Sequence, residues 1–513
     1  MDSRPIGQHE NFFHVAQHAF GCLDVMVSRL TIMSAHLRDV SHELLLSVHR
    51  QVTQRHPMLR CRIMNDGEYR RIVVQNMADL ASEYAAAPPV CLESRAELQE
   101  AEIQQLMASE LQHGFTGPLF WRLTAIRHPD TEQHLTLLIA VDHTVGDGIS
   151  CVSVAHDVLK ALAGNAVGPE LPFLPSCSDL LSASGSGTAQ PPPSAPTVHY
   201  LPTSQMGVAA TSTGSAATAS TKMEQRWVTH SLDAADVAAL GAACRRAGTT
   251  VTGALTAATI QAMRLSFGDA GWAPSTASHF GRRGDDNAGT RPTAAAAAAT
   301  AADDDDEDNE AAPAANIAEE EGPRQFLCFF AVSLRRLYGA PISDEQVGFH
   351  FGGASTWWEI VGGCGGGDRA PKRRKGASEP SPELDWALAV EAKARLGACI
   401  GRGEPMHLTA KPASDEALLD SLRAAARGSG RTKALTLSNR GRFELPCELV
   451  AFQHTTNIEP CGPSFQLSAV TLNGTFFMTL AFVTPHVGLE TGSQVADRIM
   501  VSLRTAARAE AVR

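Results

Sequence analysis

Along the first 180 residues the apolar positions change period several times, and each change marks an element. Leu23, Val25 and Val27 alternate like a strand, then Leu44, Leu45, Val48 and Val52 recur at helical spacing behind Asp39 or Ser41 as N-cap. That helix ends at His56-Pro57. Leu59 to Met64 and Tyr69 to Gln75 predict a hairpin, and residues 95 to 112 predict a helix whose stripe is Leu98, Ile103, Leu106 and Met107. Leu119 to Ile126 is expected to be a strand. His134 to Val141 is an almost unbroken apolar run, as in a strand buried on both faces. From Ile149 the period turns helical, with Val152, Ala155, Val158, Leu159 and Leu162 on one face.

The second half has the same mixed texture. Asp233 opens a helix carrying Val237 and Leu240, and Thr249 or Thr250 opens another over Val251 to Leu265. Phe326 to Leu334 predicts a buried strand, and residues 383 to 398 and 415 to 427 predict helices. Ala434 to Ser438, Leu449 to His454 and Thr475 to Val483 are expected strands, and Gln494 to Ala507 a closing helix. The pattern is that of a mixed α/β protein without a regular βαβ series. Three stretches interrupt it. Residues 183 to 222 are Ser, Thr, Ala, Pro and Gly, too poor in apolar groups to offset chain entropy, and are expected to be a disordered linker. Residues 268 to 323 and 363 to 381 read as low-complexity insertions, the second containing Lys372, Arg373, Arg374 and Lys375 in a solvated loop. The expected organisation is one lobe over 1–182 and a second over 223–513.

The chain has 513 residues, 44% hydrophobic and 19% charged, enough for two packed lobes. Its net charge of -12 is local: the ten acids between Asp303 and Glu321, with no base among them, account for all but two of those charges. The rest is close to neutral, which argues against a nucleic-acid-binding surface. The eleven cysteines form no C-x-x-C pair and read as reduced, mostly buried thiols, with no metal site. Neither a signal segment nor a membrane-length apolar run is present, so a cytoplasmic monomer with no bound cofactor is expected.

Between the buried strand and the helix lies Asp142-His143-Thr144-Val145-Gly146-Asp147-Gly148. The glycines on either side of Asp147 are expected to permit a sharp turn that presents His143 at the strand's end. On these residues alone two readings stand: His143 hydrogen-bonds into the core while Asp147 caps the helix with Ser150, or the loop carries chemistry.

His143-Thr144-Val145-Gly146-Asp147-Gly148 resembles the H-x-x-x-D-G signature of the condensation-domain and chloramphenicol-acetyltransferase-like acyltransferase superfamily. Other segments resemble it in order. Arg55-His56-Pro57-Met58-Leu59-Arg60 resembles its R-H-P-x-L-R, and Gly117-Pro118-Leu119-Phe120-Trp121-Arg122 is similar to the strand before the signature. Ala331-Val332-Ser333-Leu334-Arg335 resembles its V-N-L-R strand, and Ser438-Asn439-Arg440-Gly441 its S-N-x-G turn. The resemblance implies two lobes, each a mixed sheet with helices, around an interface tunnel. It implies an acyltransferase with acyl-CoA or a separate acyl carrier as donor and an alcohol, less readily an amine, as acceptor. His143 would be the general base, and Asp147 would pair with Arg335 to aim it, an orienting role within the catalytic signature. Gly148 is expected to permit the turn and Asn439 to fix a loop near the interface.

A single His, preceded by Asp142, departs from the paired His of peptide-synthetase condensation domains, and the D-F-G-W-G of plant acyltransferases is absent. The resemblance is therefore strongest to alcohol acetyltransferases and polyketide-associated acyltransferases. Two alternatives remain: a non-catalytic binding module, and a free-standing condensation enzyme using carrier-bound acyl groups. The minimum residues for a P-loop, a nucleophile elbow or a zinc protease are missing. Deleting residues 285 to 321 is expected to leave acyl transfer nearly intact, as measured by thiol release from an acyl-CoA.

Overall fold

A strand with no polar face must be covered on both sides, and the strand His134–Asp142 shows how the chain achieves it. The computed structural model describes residues 2–20, 25–33, 40–66, 69–86, 89–94, 99–115, 119–127, 134–183, 223–267, 324–360, 383–406, 415–416, 419–420, 433–458 and 462–511. The first half contains β1 (Ser3–Pro5), α1 (Gln8–Phe20), β2 (Val25–Met33), α2 (His42–Arg55), β3 (Cys61–Asp66), β4 (Tyr69–Val74), α3 (Ala81–Ala86), β5 (Val90–Ser94), α4 (Glu100–Gln112), β6 (Trp121–Arg127), β7 (His134–Asp142), α5 (Gly148–Leu162) and α6 (Cys177–Ala183). The second contains β8 (Glu224–Leu232), α7 (Ala234–Arg246), α8 (Val251–Phe267), β9 (Arg324–Ser333), β10 (Phe351–Ile360), α9 (Trp386–Gly401), β11 (Lys433–Phe443), β12 (Glu448–Thr456), β13 (Pro463–Leu472), β14 (Thr475–Thr484) and α10 (Leu489–Ala511). The expected linker from residue 184, both insertions and most of the helix expected over 415–427 lie outside the described residues.

β7 is the middle strand of a five-stranded sheet ordered β12-β2-β7-β6-β5. Leu135, Leu137, Ile139 and Val141 pack in one core with Val48 and Val52 of α2 and Val152, Ala155 and Val158 of α5. Leu138 and Ala140 point the other way, into a core with Ile103, Met107 and Leu111 of α4. Each such side chain contributes about 1.5–3 kcal/mol by leaving water, so the apolar run is period-2 packing into two cores at once. β2 does the same with Met26, Leu30 and Ile32 against Val25 and Val27, which is why it is buried over almost its whole length. Ser41 caps α2 by accepting from Leu44 N at 3.1 Å. A separate three-stranded sheet, β1-β4-β3, contains the expected hairpin.

The second sheet has six strands, ordered β10-β9-β11-β13-β14-β8, with β11 parallel to both β9 and β13 and the other pairs antiparallel. Its two faces are chemically different. Cys328, Phe330, Leu435, Leu437, Phe465 and Leu467 pack under helices α7, α8, α9 and α10. Alternate residues on the same strands, Phe329, Ala331, Ser333, Thr436, Ser438, Gln466 and Ser468, line a cavity on the other side.

The division into 1–182 and 223–513 does not hold at the level of the sheets. β12 leaves the second half and pairs antiparallel with β2, placing His454 opposite Ser28. An uncovered β2 edge would expose a row of unpaired backbone groups, and β12 satisfies them. The cavity wall is thus continuous from one sheet into the other.

The Arg55–Arg60 segment holds the same two halves together. Arg55 donates to Asp157 of α5 at 2.8 Å and to Glu345 at 2.7 Å, and His56 Nε2 lies 2.9 Å from the same Asp157 oxygen. Burial pushes the Asp157 carboxyl up, but hydrogen bonds from His156 and His56 and the Arg55 charge hold it below the usual carboxylate range. Among the described residues, no helix is long and apolar enough to cross a membrane, and eight cysteines are free, Cys91 being exposed.

Candidate active site

The loop after β7 is fixed by its own polar groups. Thr144 N donates to Asp142 Oδ1 at 2.8 Å and Val145 N to the Asp142 carbonyl at 3.2 Å, turning the chain sharply at the strand's end. His143 Nδ1 lies 2.9 Å from the Gly146 carbonyl oxygen. A carbonyl only accepts, so Nδ1 carries the proton and Nε2 keeps its lone pair. The ring stacks on Phe13 of α1, with centroids 4.4 Å apart, and meets Phe349 at 5.7 Å and Phe351 at 5.2 Å. Burial among these rings lowers the imidazole pKa below its usual value; the nearby Asp147 charge opposes this without reversing it. His143 is therefore neutral at pH 7.

Asp147 serves two structures at once. It is the N-cap of α5, Oδ1 accepting from Ser150 N at 2.8 Å, with Ser150 Oγ 2.9 Å away. Oδ2 accepts from Arg335 Nη1 and from His350 N at 3.1 Å. Arg335 is wholly buried, and its Nη2 donates to the Gln346 carbonyl at 2.9 Å and Ser150 Oγ at 3.3 Å. Gly348 N also donates to Ser150 Oγ at 3.1 Å. Burial by itself raises the Asp147 carboxyl, but Arg335, the His350 side and the Ser150 amide together bring it down to about 2. The helix-cap reading and the ion-pair reading of this residue describe the same carboxylate.

The glycines have a different reason from the one expected. Neither Gly146 nor Gly148 is among the residues with positive φ, so neither supplies a left-handed turn. Gly148 is tightly packed instead: a Cβ there would sit 3.0 Å from both Cδ and Nε of Arg440, which would have to give by a few tenths of an ångström. Gly146 is similarly crowded, with Ser150 Cβ at 3.1 Å.

Asn439 lies on β11, not on a free loop. Between Asn439 and Arg442 the strand carries one residue more than β13 opposite it, a β-bulge built on Gly441 at φ 95°. Asn439 Oδ1 accepts from Gly441 N at 3.1 Å and Nδ2 donates to Thr252 Oγ1 of α8 at 3.1 Å, so Asn439 fixes the bulge and ties it to the helix layer.

His143, Asp147, Gly148 and Asn439 all line one cavity of about 210 Å³ between the two sheets. Arg335 stands behind Asp147 and does not line it. Its lining includes an aromatic group, Phe12, Phe13, Phe349 and Phe351, and a polar one, Ser438, Arg440, His454, Thr456, Gln466 and Ser468. Sequence reasoning passed over Phe13, Phe349, His350, Arg440 and His454. Phe349 and Phe351 stand in a short segment with no clean period. Arg440 had a signal, its place inside S-N-R-G, but the variable position of a motif was given no weight.

Replacing Asp147 with Asn is expected to cost about 3–5 kcal/mol of unfolding free energy, since it leaves the Arg335 charge buried and unpaired. In the wild type the contribution of this carboxylate is full above the ordinary aspartate range and is lost as pH falls toward about 2. Denaturant unfolding of both proteins between pH 7 and pH 2 is the measurement; their stabilities should converge at the acid end.

No protein-family model and no curated protein matches this sequence. Solved structures do match over nearly the whole chain. The trichothecene 15-O-acetyltransferase TRI3 from Fusarium sporotrichioides superimposes with a TM-score of 0.59 at 12% identity, covering 98% of this chain and 95% of that one. The condensation domain of the monacolin K polyketide synthase MokA gives 0.57 at 11% identity, covering 99% and 98%. Polyketide synthase associated protein 5 from Mycobacterium tuberculosis gives 0.55 at 11% identity, covering 98% and 97%. The chain therefore has the mixed α/β fold of these acetyltransferase and condensation-domain structures.

Proposed function

We propose that this protein is an acyltransferase that moves an acyl group from a thioester, acyl-CoA or carrier-bound, to an acceptor hydroxyl, with His143 as general base. The observation that carries the reading is the state of that imidazole. It is neutral, its Nδ1–H is committed to Gly146, and Nε2 makes no hydrogen bond among the described residues at the wall of an interlobe cavity. Two of the similar structures, an O-acetyltransferase and a polyketide-synthase condensation domain, support acyl chemistry on this fold.

In the proposed step the acceptor O–H gives its proton to His143 Nε2 as the oxygen bonds to the thioester carbonyl carbon. The tetrahedral intermediate then collapses, the C–S bond breaks, and the imidazolium returns the proton to the departing sulfur. Base assistance of this kind supplies ~10²- to 10⁴-fold. Asp147 and Arg335 contribute by holding the loop, and Asp147 does not act as a second base because both its oxygens are already bonded.

Thiol release from a panel of acyl-CoAs with alcohol and amine acceptors tests this directly. His143→Ala is expected to lose ~10²- to 10⁴-fold in rate with little change in melting temperature. Equal rates in the two proteins refute the role of His143, and bound thioester without turnover in either favours a binding module.

A separate check is the pH dependence of kcat/KM. Because burial lowers the His143 pKa, the base stays unprotonated further into acid, and the acid limb should bend below pH 6.5. An inflection above that value contradicts the assignment.

A further inference from the structure

Arg440 is the cavity group that acyl transfer from a simple thioester leaves unused. It is 8% exposed, yet its Nε and Nη1 have no hydrogen-bond partner among the described residues. The carboxylate that acts on it electrostatically is Asp147, whose oxygens are taken by Arg335, His350 N and Ser150 N. Its aromatic neighbour, Phe452, has its ring centroid 6.0 Å away, a weak contact at best. Burial lowers the guanidinium pKa to about 10, which still leaves it a cation at neutrality.

The backbone is built to put it there. The bulge at Gly441 re-aims the side chain, Asn439 pins the bulge, and Gly148 leaves out the Cβ that would displace Arg440 from the start of α5. A buried, unpaired cation opposes folding, and a side chain of similar volume without charge would pack here at lower cost. The N-terminus of α5 adds positive potential beside it. Among the described residues the other Lys or Arg lining the cavity is Lys433, seven residues earlier on β11 with its Cα roughly 23 Å along the strand, so Arg440 faces its ligand as a single cation. One planar guanidinium matches a carboxylate bidentately, whereas a phosphate dianion calls for more charge than the site holds.

We propose that Arg440 recognises an anion, and that one of the two reactants carries a carboxylate that seats on its guanidinium. This rests on the acyl-transfer reading for the word reactant, while the test below reads binding alone. The aromatic lining of the same cavity, with Phe12, Phe13 and Phe351, then takes the hydrocarbon part of the same molecule.

The experiment measures binding by calorimetry to the full-length wild type, Arg440→Gln and Arg440→Met, with melting temperatures for all three. The acceptor probes are 4-hydroxyphenylacetate and 10-hydroxydecanoate, each beside a neutral partner, 2-(4-hydroxyphenyl)ethanol and 1,10-decanediol. The donor probes are succinyl-CoA beside butyryl-CoA. In one of these arms the wild type should favour the carboxylate by roughly tenfold to a hundredfold, and Arg440→Gln should erase that preference while moving the neutral partner less than twofold. The arm that responds identifies which reactant is the acid. Arg440→Met should melt at or above the wild type, because it removes an uncompensated charge. The proposal is overturned if both arms bind acid and neutral partner alike, if Arg440→Gln weakens both equally, or if Arg440→Met melts well below the wild type. Loss of thiol release with the binding preference intact would instead count against acyl transfer alone.

Discussion

The Asp147–Arg335 ion pair is the constraint on which the site depends. A buried carboxylate and a buried guanidinium are each costly to desolvate, and they persist only when every remaining donor and acceptor is used well. Here the carboxylate also caps α5 and binds His350 N, and Ser150 joins the cap to Gly348. Three pieces of chain that are distant in sequence therefore share one hydrogen-bonded node. The His143 ring, four residues before Asp147, inherits its position from that node and its protonation state from the phenyl rings around it.

The second determinant is the two-faced character of β9, β11 and β13. Their alternation places Phe330, Leu437 and Leu467 under four helices and Ala331, Ser438 and Ser468 on the cavity wall. The sheet is rigid because one face is a packed core, and the other face is free to be polar. β12 continues this wall into the first sheet by pairing with β2, so residues of both sheets line the cavity. The Arg55–His56–Asp157 cluster, with its reach to Glu345, braces α2 and α5 against the segment that carries Arg335 and His350.

Much of this was legible from residue order. The apolar run before Asp142 and the helical period after Ile149 located the His143 loop, because a strand buried on both faces and an amphipathic helix leave different periods in sequence. Asp147 and Arg335 could be paired in advance only through resemblance to a family, since they stand 188 positions apart in sequence. The expected need for glycine at 148 was misread for a physical reason: sequence shows that a side chain is missing, and does not show whether backbone angle or space requires its absence. Here the space is taken by Arg440, which lies 292 residues further on.

The sequence by itself determined the strand, loop and helix that carry His143 and Asp147, and the other elements with a clean period, because these follow from local periodicity. Tertiary structure alone decided that β12 belongs to the first sheet, that Phe13, Phe349 and Phe351 surround His143, and that Arg440 is buried with Nε and Nη1 unpartnered among the described residues. Those are properties of contacts between distant segments, and burial and charge pairing exist only once the segments have met.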